Sequence, residues 1–237
     1  MLFRIFLTAL VAGVIGGAVV TGVQELGTTP LILEAEVYEN AVGHPHEGAA
    51  AEAGDEEWAP RDGIERLFYT FLGNLVMAAA FALLLASAFT VYGRTVNLRQ
   101  SVAWGLAGFA AFTFIPSIGL PPEIPGMVAA DISARQIWWW SSAIASCVGL
   151  GLIAFAPQWL VKIIGAGIIL APFVVGAPHP EHGAEVGSVP PELAAQFATT
   201  TLGTALVLWL VLSATVALVF AKIRVAQEQA DREPVGA

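Results

Sequence analysis

The chain contains 237 residues, of which 57% are hydrophobic and only 12% are charged, and its formal net charge is −9. Soluble domains carry about 25% charged residues, so this composition is too poor in charge to cover a surface that faces water. It excludes a soluble enzyme and a nucleic-acid-binding protein, and the single cysteine excludes a disulfide framework.

Charged residues are absent from six long segments of 18 to 29 residues each. A helix needs about 20 apolar residues to cross the hydrocarbon core of a bilayer. The uncharged segments are 5–24, 67–93, 100–122, 136–161, 163–180 and 193–221. We therefore predict an all-α integral membrane protein that forms a single polytopic domain over residues 1–237. It should be a bundle of about six transmembrane helices, near residues 3–24, 67–92, 100–119, 136–156, 159–176 and 195–221.

The segment between the first two helices, residues 25–66, is predicted to be an acidic loop outside the cytoplasm. It is too polar and too short to form a hydrophobic core of its own. Its end, residues 58–66, combines turn residues with the start of a helix and should be ordered.

The basic residues predict the orientation. If the loops alternate across the membrane, one face holds seven Lys and Arg residues and the other holds three, together with sixteen of the 19 acids. Cytoplasmic loops carry the excess of Lys and Arg. Both termini are therefore predicted to be cytoplasmic, in the inner (plasma) membrane, and the outer face should attract cations.

Small and aromatic residues predict how the helices pack. Ala9, Gly13, Gly17 and Thr21 recur every four residues and form a stripe on which another helix can approach closely. Tryptophans 138–140 stand where the fourth helix begins, a position typical of the aromatic belt at the membrane surface.

A short motif occurs twice. Residues 120–124, Leu-Pro-Pro-Glu-Ile, recur as residues 189–193, Val-Pro-Pro-Glu-Leu. Each copy precedes a helix that runs inward, so the third and fourth helices would be repeated in parallel as the fifth and sixth. A duplication and a coincidence both remain open.

The chain lacks the glycine-rich motifs that bind nucleotides and lacks paired catalytic residues, so no enzymatic activity is predicted. Asn74 is the most deeply placed polar residue within the uncharged segments. It is interpreted either as an interhelical hydrogen-bonding group or as part of an ion path.

The four histidines all fall on the predicted outer face, within the motifs His44-Pro-His46-Glu47 and His179-Pro-Glu181-His182. Imidazole and carboxylate groups suit divalent ions such as cobalt, nickel and zinc. The candidate metal ligands are His44, His46, His179, Glu181 and His182. Solvated loop residues are the alternative interpretation.

A second group of candidates lies at the outer ends of the helices. Glu123, Asp131, Arg135 and Gln136 would meet at one helix junction and could gate the entrance of an ion, and Glu192 is a further acidic candidate. Alternatively, Arg135 pairs with Asp131 at i,i+4 and only holds the loop in place.

Several motifs in chain order resemble the CbtA family of proposed cobalt transporter membrane subunits. They are Trp58-Ala-Pro-Arg-Asp-Gly-Ile-Glu-Arg66, Tyr69-Thr70, Gly108-Phe109, Gly119-Leu-Pro-Pro-Glu-Ile-Pro-Gly126, Arg135-Gln-Ile-Trp-Trp139 and Gly176-Ala-Pro-His179.

The resemblance implies uptake of Co²⁺ for cobalamin synthesis, with no permanently bound cofactor. It also implies a small CbtB-like partner with one membrane helix and a histidine-rich end. The lipid bilayer and a divalent metal ion are the other expected partners, and nucleic acid is not one. The alternatives are a non-transporting membrane scaffold or assembly subunit, and a transporter of nickel or zinc.

Overall fold

The computed structural model describes residues 2–42, 60–180 and 188–230, and over these residues it is helical without strands. The helices are α1 (Leu2–Leu26), α2 (Thr28–Val42), α3 (Ile64–Tyr92), α4 (Leu98–Gly119), α5 (Ile132–Phe155), α6 (Trp159–Val175) and α7 (Pro191–Ala230). Side chains are described over residues 2–38, 60–180 and 188–223.

Five of the described helices are long and apolar enough to cross a membrane: α1, α3, α4, α5 and α7. The apolar helix α6 has 17 residues, which is the lower limit for a span, about 17–25 residues. The predicted fold class, an all-α membrane protein with about six spans, is confirmed.

The chain divides into two compact units. The first unit comprises Met1–Val23, Pro60–Leu106 and Ala205–Ala237, and the second comprises Gln24–Ala59 and Ala107–Thr204. That both belong to one polytopic domain stays a prediction.

In the first unit, the predicted stripe of small residues on α1 is buried. It lies directly against α3: an added Cβ at Gly13 would be 2.7 Å from Ala79 Cβ, and one at Gly17 would be 2.9 Å from Leu75 Cα. Close backbone approach of this kind is how helices associate in lipid, where burial of apolar surface gives no net gain.

In the second unit, Trp138 fills the space beside another helix. It is 6% exposed, its ring covers Gly119, and its indole Nε1 donates a hydrogen bond of 3.2 Å to the carbonyl of Pro172. Trp140, in contrast, is 56% exposed. The belt interpretation is therefore wrong for Trp138, whose ring packs between helices.

The segment predicted to be a loop contains the helix α2, Thr28–Val42. Its residues Leu31 and Ala35 are buried in a cluster with Ile124, Val189, Leu193 and Phe197. Proline at position 30 suits the first turn of a helix, and apolar residues four apart define its buried face. Both Pro-Pro-Glu motifs place a residue in this cluster, so the segment shares an apolar core that it could not form alone.

Candidate functional site

The outer junction predicted from the sequence is formed in the second unit by the loop before α5 and the first turns of that helix. Glu123 and Arg135 form an ion pair there and are 23% and 30% exposed in their side chains. Asp131 does not pair with Arg135. It is the N-cap of α5, and its carboxylate accepts a hydrogen bond of 2.8 Å from the backbone N–H of Ala134. The predicted i,i+4 ion pair is therefore wrong: the carboxylate of Asp131 caps the helix, and the guanidinium of Arg135 pairs with Glu123.

A cavity of about 410 Å³ opens beside this ion pair. The polar side chains on its wall are Thr113, Ser117, Glu123, Arg135 and Gln136, and the other lining residues are aliphatic or aromatic, with aromatic rings from both α4 and α5. The Nε of Arg135 is buried and has no hydrogen-bond partner among the described residues.

One wall of the cavity is a π-helical turn of α4, Ala110–Phe114. Pro116 lacks the N–H that would bond to the carbonyl of Phe112 in a regular helix, and such irregular turns commonly occur at functional sites. Thr113 and Ser117 are not among the site residues predicted from the sequence. Pro116 inside an otherwise helical pattern was the signal that could have found them.

The two charged side chains of this cavity, Glu123 and Arg135, neutralise each other. The carboxylate of Glu123 and the hydroxyl and amide oxygens around it are oxygen ligands for a divalent cation, but the guanidinium of Arg135 occupies the carboxylate. A cation that binds Glu123 must displace Arg135. Over the described residues, no group of three or more His, Cys, Asp or Glu side chains could hold a metal ion by itself.

Asn74 lies within the first unit and is 7% exposed. Its Nδ2 donates a hydrogen bond of 3.0 Å to Thr21 Oγ1, which in turn donates 2.8 Å to the carbonyl of Gly17. The interhelical hydrogen bond predicted as one interpretation is therefore present, between α1 and α3. A role for Asn74 in an ion path stays a prediction.

The remaining candidates are only partly described. His179 is exposed after the end of α6, and Glu192 is exposed in the first turn of α7. His44, His46, Glu181 and His182 lie outside the described residues. A metal-ligand role for these residues therefore stays a prediction.

The chain matches the family model for the probable cobalt transporter subunit CbtA over residues 2–221. The chain belongs to the CbtA family. This match extends from the first turn of α1 to the apolar end of α7, so it includes all six apolar helices and the cavity beside Glu123. No curated protein and no solved structure matches the chain.

Membership of the CbtA family makes the chain a probable cobalt transporter subunit, and the apolar helices agree with a membrane protein. The word subunit implies partner proteins in a transporter complex. The resemblance noted in the sequence is thus confirmed at the level of the family.

Proposed function

We propose that this CbtA chain is the membrane subunit of an importer that takes up Co²⁺ for cobalamin synthesis. The observation that carries the proposal is the family match over residues 2–221, on a chain whose apolar helices are long enough to cross a bilayer. The activity proposed is transport, with Co²⁺ as cargo, and no catalysis is assigned.

The proposed location is the inner membrane, with both termini in the cytoplasm. The support is the excess of Lys and Arg on one set of loops, seven against three on the other. The opposite face is rich in acids and would raise the local concentration of a divalent cation.

Capture of the ion is assigned to the histidine pairs His44/His46 and His179/His182, with Glu181 or Glu47. The prolines between these residues limit the entropy lost on binding. A small CbtB-like subunit with a single helix and a histidine-rich end would supply further ligands. A weak site is proposed because a carrier must release its ion.

Passage toward the membrane is assigned to the junction beside α5. There, Co²⁺ would compete with Arg135 for the carboxylate of Glu123, and Glu192, on the same predicted face, would add negative charge. Asn74, in the first unit, is proposed as a further residue of an ion path. The Nε of Arg135 is buried and has no partner in the part of the chain that the structure describes, which supports the idea that this side chain can adopt another position.

Radiolabelled cobalt uptake tests the function. Cells or vesicles that contain the chain and its partner should accumulate Co²⁺ faster than those that contain the partner alone. Equal uptake would support the alternative of a non-transporting scaffold or assembly subunit, which the close glycine contacts of α1 and α3 also suit. Competition by excess nickel or zinc in the same assay would identify the metal.

Variants in the same assay separate capture from passage. Changing His44, His46, His179 and His182 to Ala should weaken Co²⁺ binding to the purified protein and slow uptake at low cobalt. Binding to the wild type should also fall as pH drops through about 6.5, because protonated imidazole is not a ligand. Unchanged binding by the quadruple variant would assign capture to the partner or to acidic groups.

Glu123→Gln should slow uptake severalfold at saturating cobalt. A neutral amide oxygen binds a divalent ion more weakly than a carboxylate does, so it would not replace the water molecules around the ion. The matched control is Asp62→Asn, which removes an acid that is 78% exposed and already paired with Arg66. Equal rates for the Glu123 variant and this control would exclude the junction from the path.

A further inference from the structure

A second cavity lies in the first unit, at the N-terminal end of α1 and the C-terminal end of α3. The acidic segment 25–66 joins the other ends of these two helices in the sequence. It has a volume of about 300 Å³ and is lined by the first turn of α1, the last turn of α3 with the residues that follow it, and α7 near residue 220. Cavities that bind small ligands begin at about this size, roughly 300–1,000 Å³.

The end of α3 brings the polar residues to this cavity. Gly93 is the C-cap, with φ 68°, and its N–H bonds to the carbonyl of Phe89 at 3.2 Å. This left-handed conformation suits glycine and turns the chain out of the helix. As a result, Arg94 and Thr95 line the cavity instead of continuing along the helix axis.

Both charged side chains that line the cavity are positive. These are Arg4 and Arg94, and among the described residues no Asp or Glu lines the cavity. In the part of the chain that the structure describes, neither arginine forms an ion pair. Two guanidinium groups on one concave surface favour a phosphate, which each can bind through two hydrogen bonds.

Apart from Thr90 and Thr95, the rest of the wall is apolar. Phe89 is 4% exposed, and its ring lies edge-on against Trp104 at 5.4 Å and Phe220 at 6.3 Å between centroids. Free phosphate gains nothing from such a wall. A phospholipid gains from it, because its phosphate can bind the arginines while its glycerol and the start of its acyl chains contact the partly exposed apolar side chains of Ile5, Val96 and Phe220.

The position along the sequence fits the same ligand. Arg4 directly precedes the uncharged segment 5–24, and Arg94 directly follows the uncharged segment 67–93. Each arginine therefore marks the boundary between hydrocarbon and headgroups, where lipid phosphates lie. We propose that this cavity is a binding site for the headgroup phosphate of an anionic phospholipid. The proposal does not depend on cobalt transport.

Binding of phosphatidylglycerol to the purified, delipidated full chain tests the proposal, with phosphatidylcholine as the zwitterionic reference. Native mass spectrometry should show that phosphatidylglycerol binds about tenfold more tightly than phosphatidylcholine, because both lipids offer the phosphate but the choline of the latter brings a positive charge close to the two arginines. Arg4→Gln with Arg94→Gln should remove this preference. Arg94→Gln alone, at an exposed loop position, should lower it severalfold without disturbing the packing.

The matched control is Arg99→Gln with Lys162→Gln. It removes two positive charges from exposed side chains outside the cavity and should keep the full preference. An equal loss in the control, an unchanged preference in the Arg4/Arg94 variant, or no preference in the wild type would overturn the proposal. So would displacement of the lipid by millimolar inorganic phosphate, because the ligand would then be free phosphate.

Discussion

The contact between α1 and α3 makes a sharp prediction for Gly17. An alanine Cβ at this position would lie 2.9 Å from Leu75 Cα and 3.0 Å from Leu75 N. Carbon atoms pack best at about 3.5–4.0 Å, and backbone atoms cannot rotate away. The two helices must therefore move apart by roughly 0.6 Å or more at this point.

The same helix offers a matched control at Gly22, where an added Cβ meets nothing within 4 Å. Both Gly17→Ala and Gly22→Ala gain the same helix propensity, up to about 1 kcal/mol. Only the Gly17 variant has the overpacking cost, about 1–3 kcal/mol. The difference in unfolding free energy between the two variants is thus about 1–3 kcal/mol, with the Gly17 variant the less stable.

Thermal unfolding in detergent, followed by intrinsic tryptophan fluorescence, measures this difference. At about 2–4 °C per kcal/mol for a chain of this size, the midpoints should differ by roughly 2–12 °C. Gly13→Ala should resemble Gly17→Ala, because its Cβ would lie 2.8 Å from Ala79 Cα. Equal midpoints for the Gly17 and Gly22 variants would show that the helices do not approach as closely as described.

Three further predictions concern single interactions and the orientation. Asn74→Ala should lower the unfolding free energy by about 0.6 kcal/mol, and by at most about 1.7 kcal/mol. The double variant Asn74→Ala with Thr21→Ala should lose less than the sum of the two single losses. Strict additivity would mean that the two side chains do not interact. Asp131→Ala should cost about 1 kcal/mol of unfolding free energy, whereas Asp131→Asn should cost little, because asparagine is an equally good N-cap; equal losses in the same fluorescence assay would point to the charge and not to the cap. In a Cys147→Ser background, an impermeant thiol reagent applied to intact cells should label cysteines introduced at positions 50 and 185 but not one at position 97, and the reverse pattern would overturn the proposed orientation.

Much of the fold follows from local features of the sequence. A bilayer accepts long apolar helices, so the absence of charge over six segments is enough to predict an all-α membrane protein with about six spans. The stripe on α1 was also predictable, because residues four apart share one face of a helix whatever lies opposite. The helix α2 was missed, although Leu31 and Ala35 have the same spacing, since its acidic residues suggested a loop.

The candidate site depended on information that the sequence does not carry locally. Asp131 and Arg135 have the spacing of an ion pair. In the structure, however, the N–H of Ala134 donates a hydrogen bond to the carboxylate of Asp131, and the preceding loop places Glu123 beside Arg135 as its ion-pair partner. Trp138 and Trp140 are two residues apart and chemically identical, but only the first faces Gly119 and the carbonyl of Pro172. Spacing along a helix determines which residues share a face, whereas the partner of that face is decided by how distant segments pack.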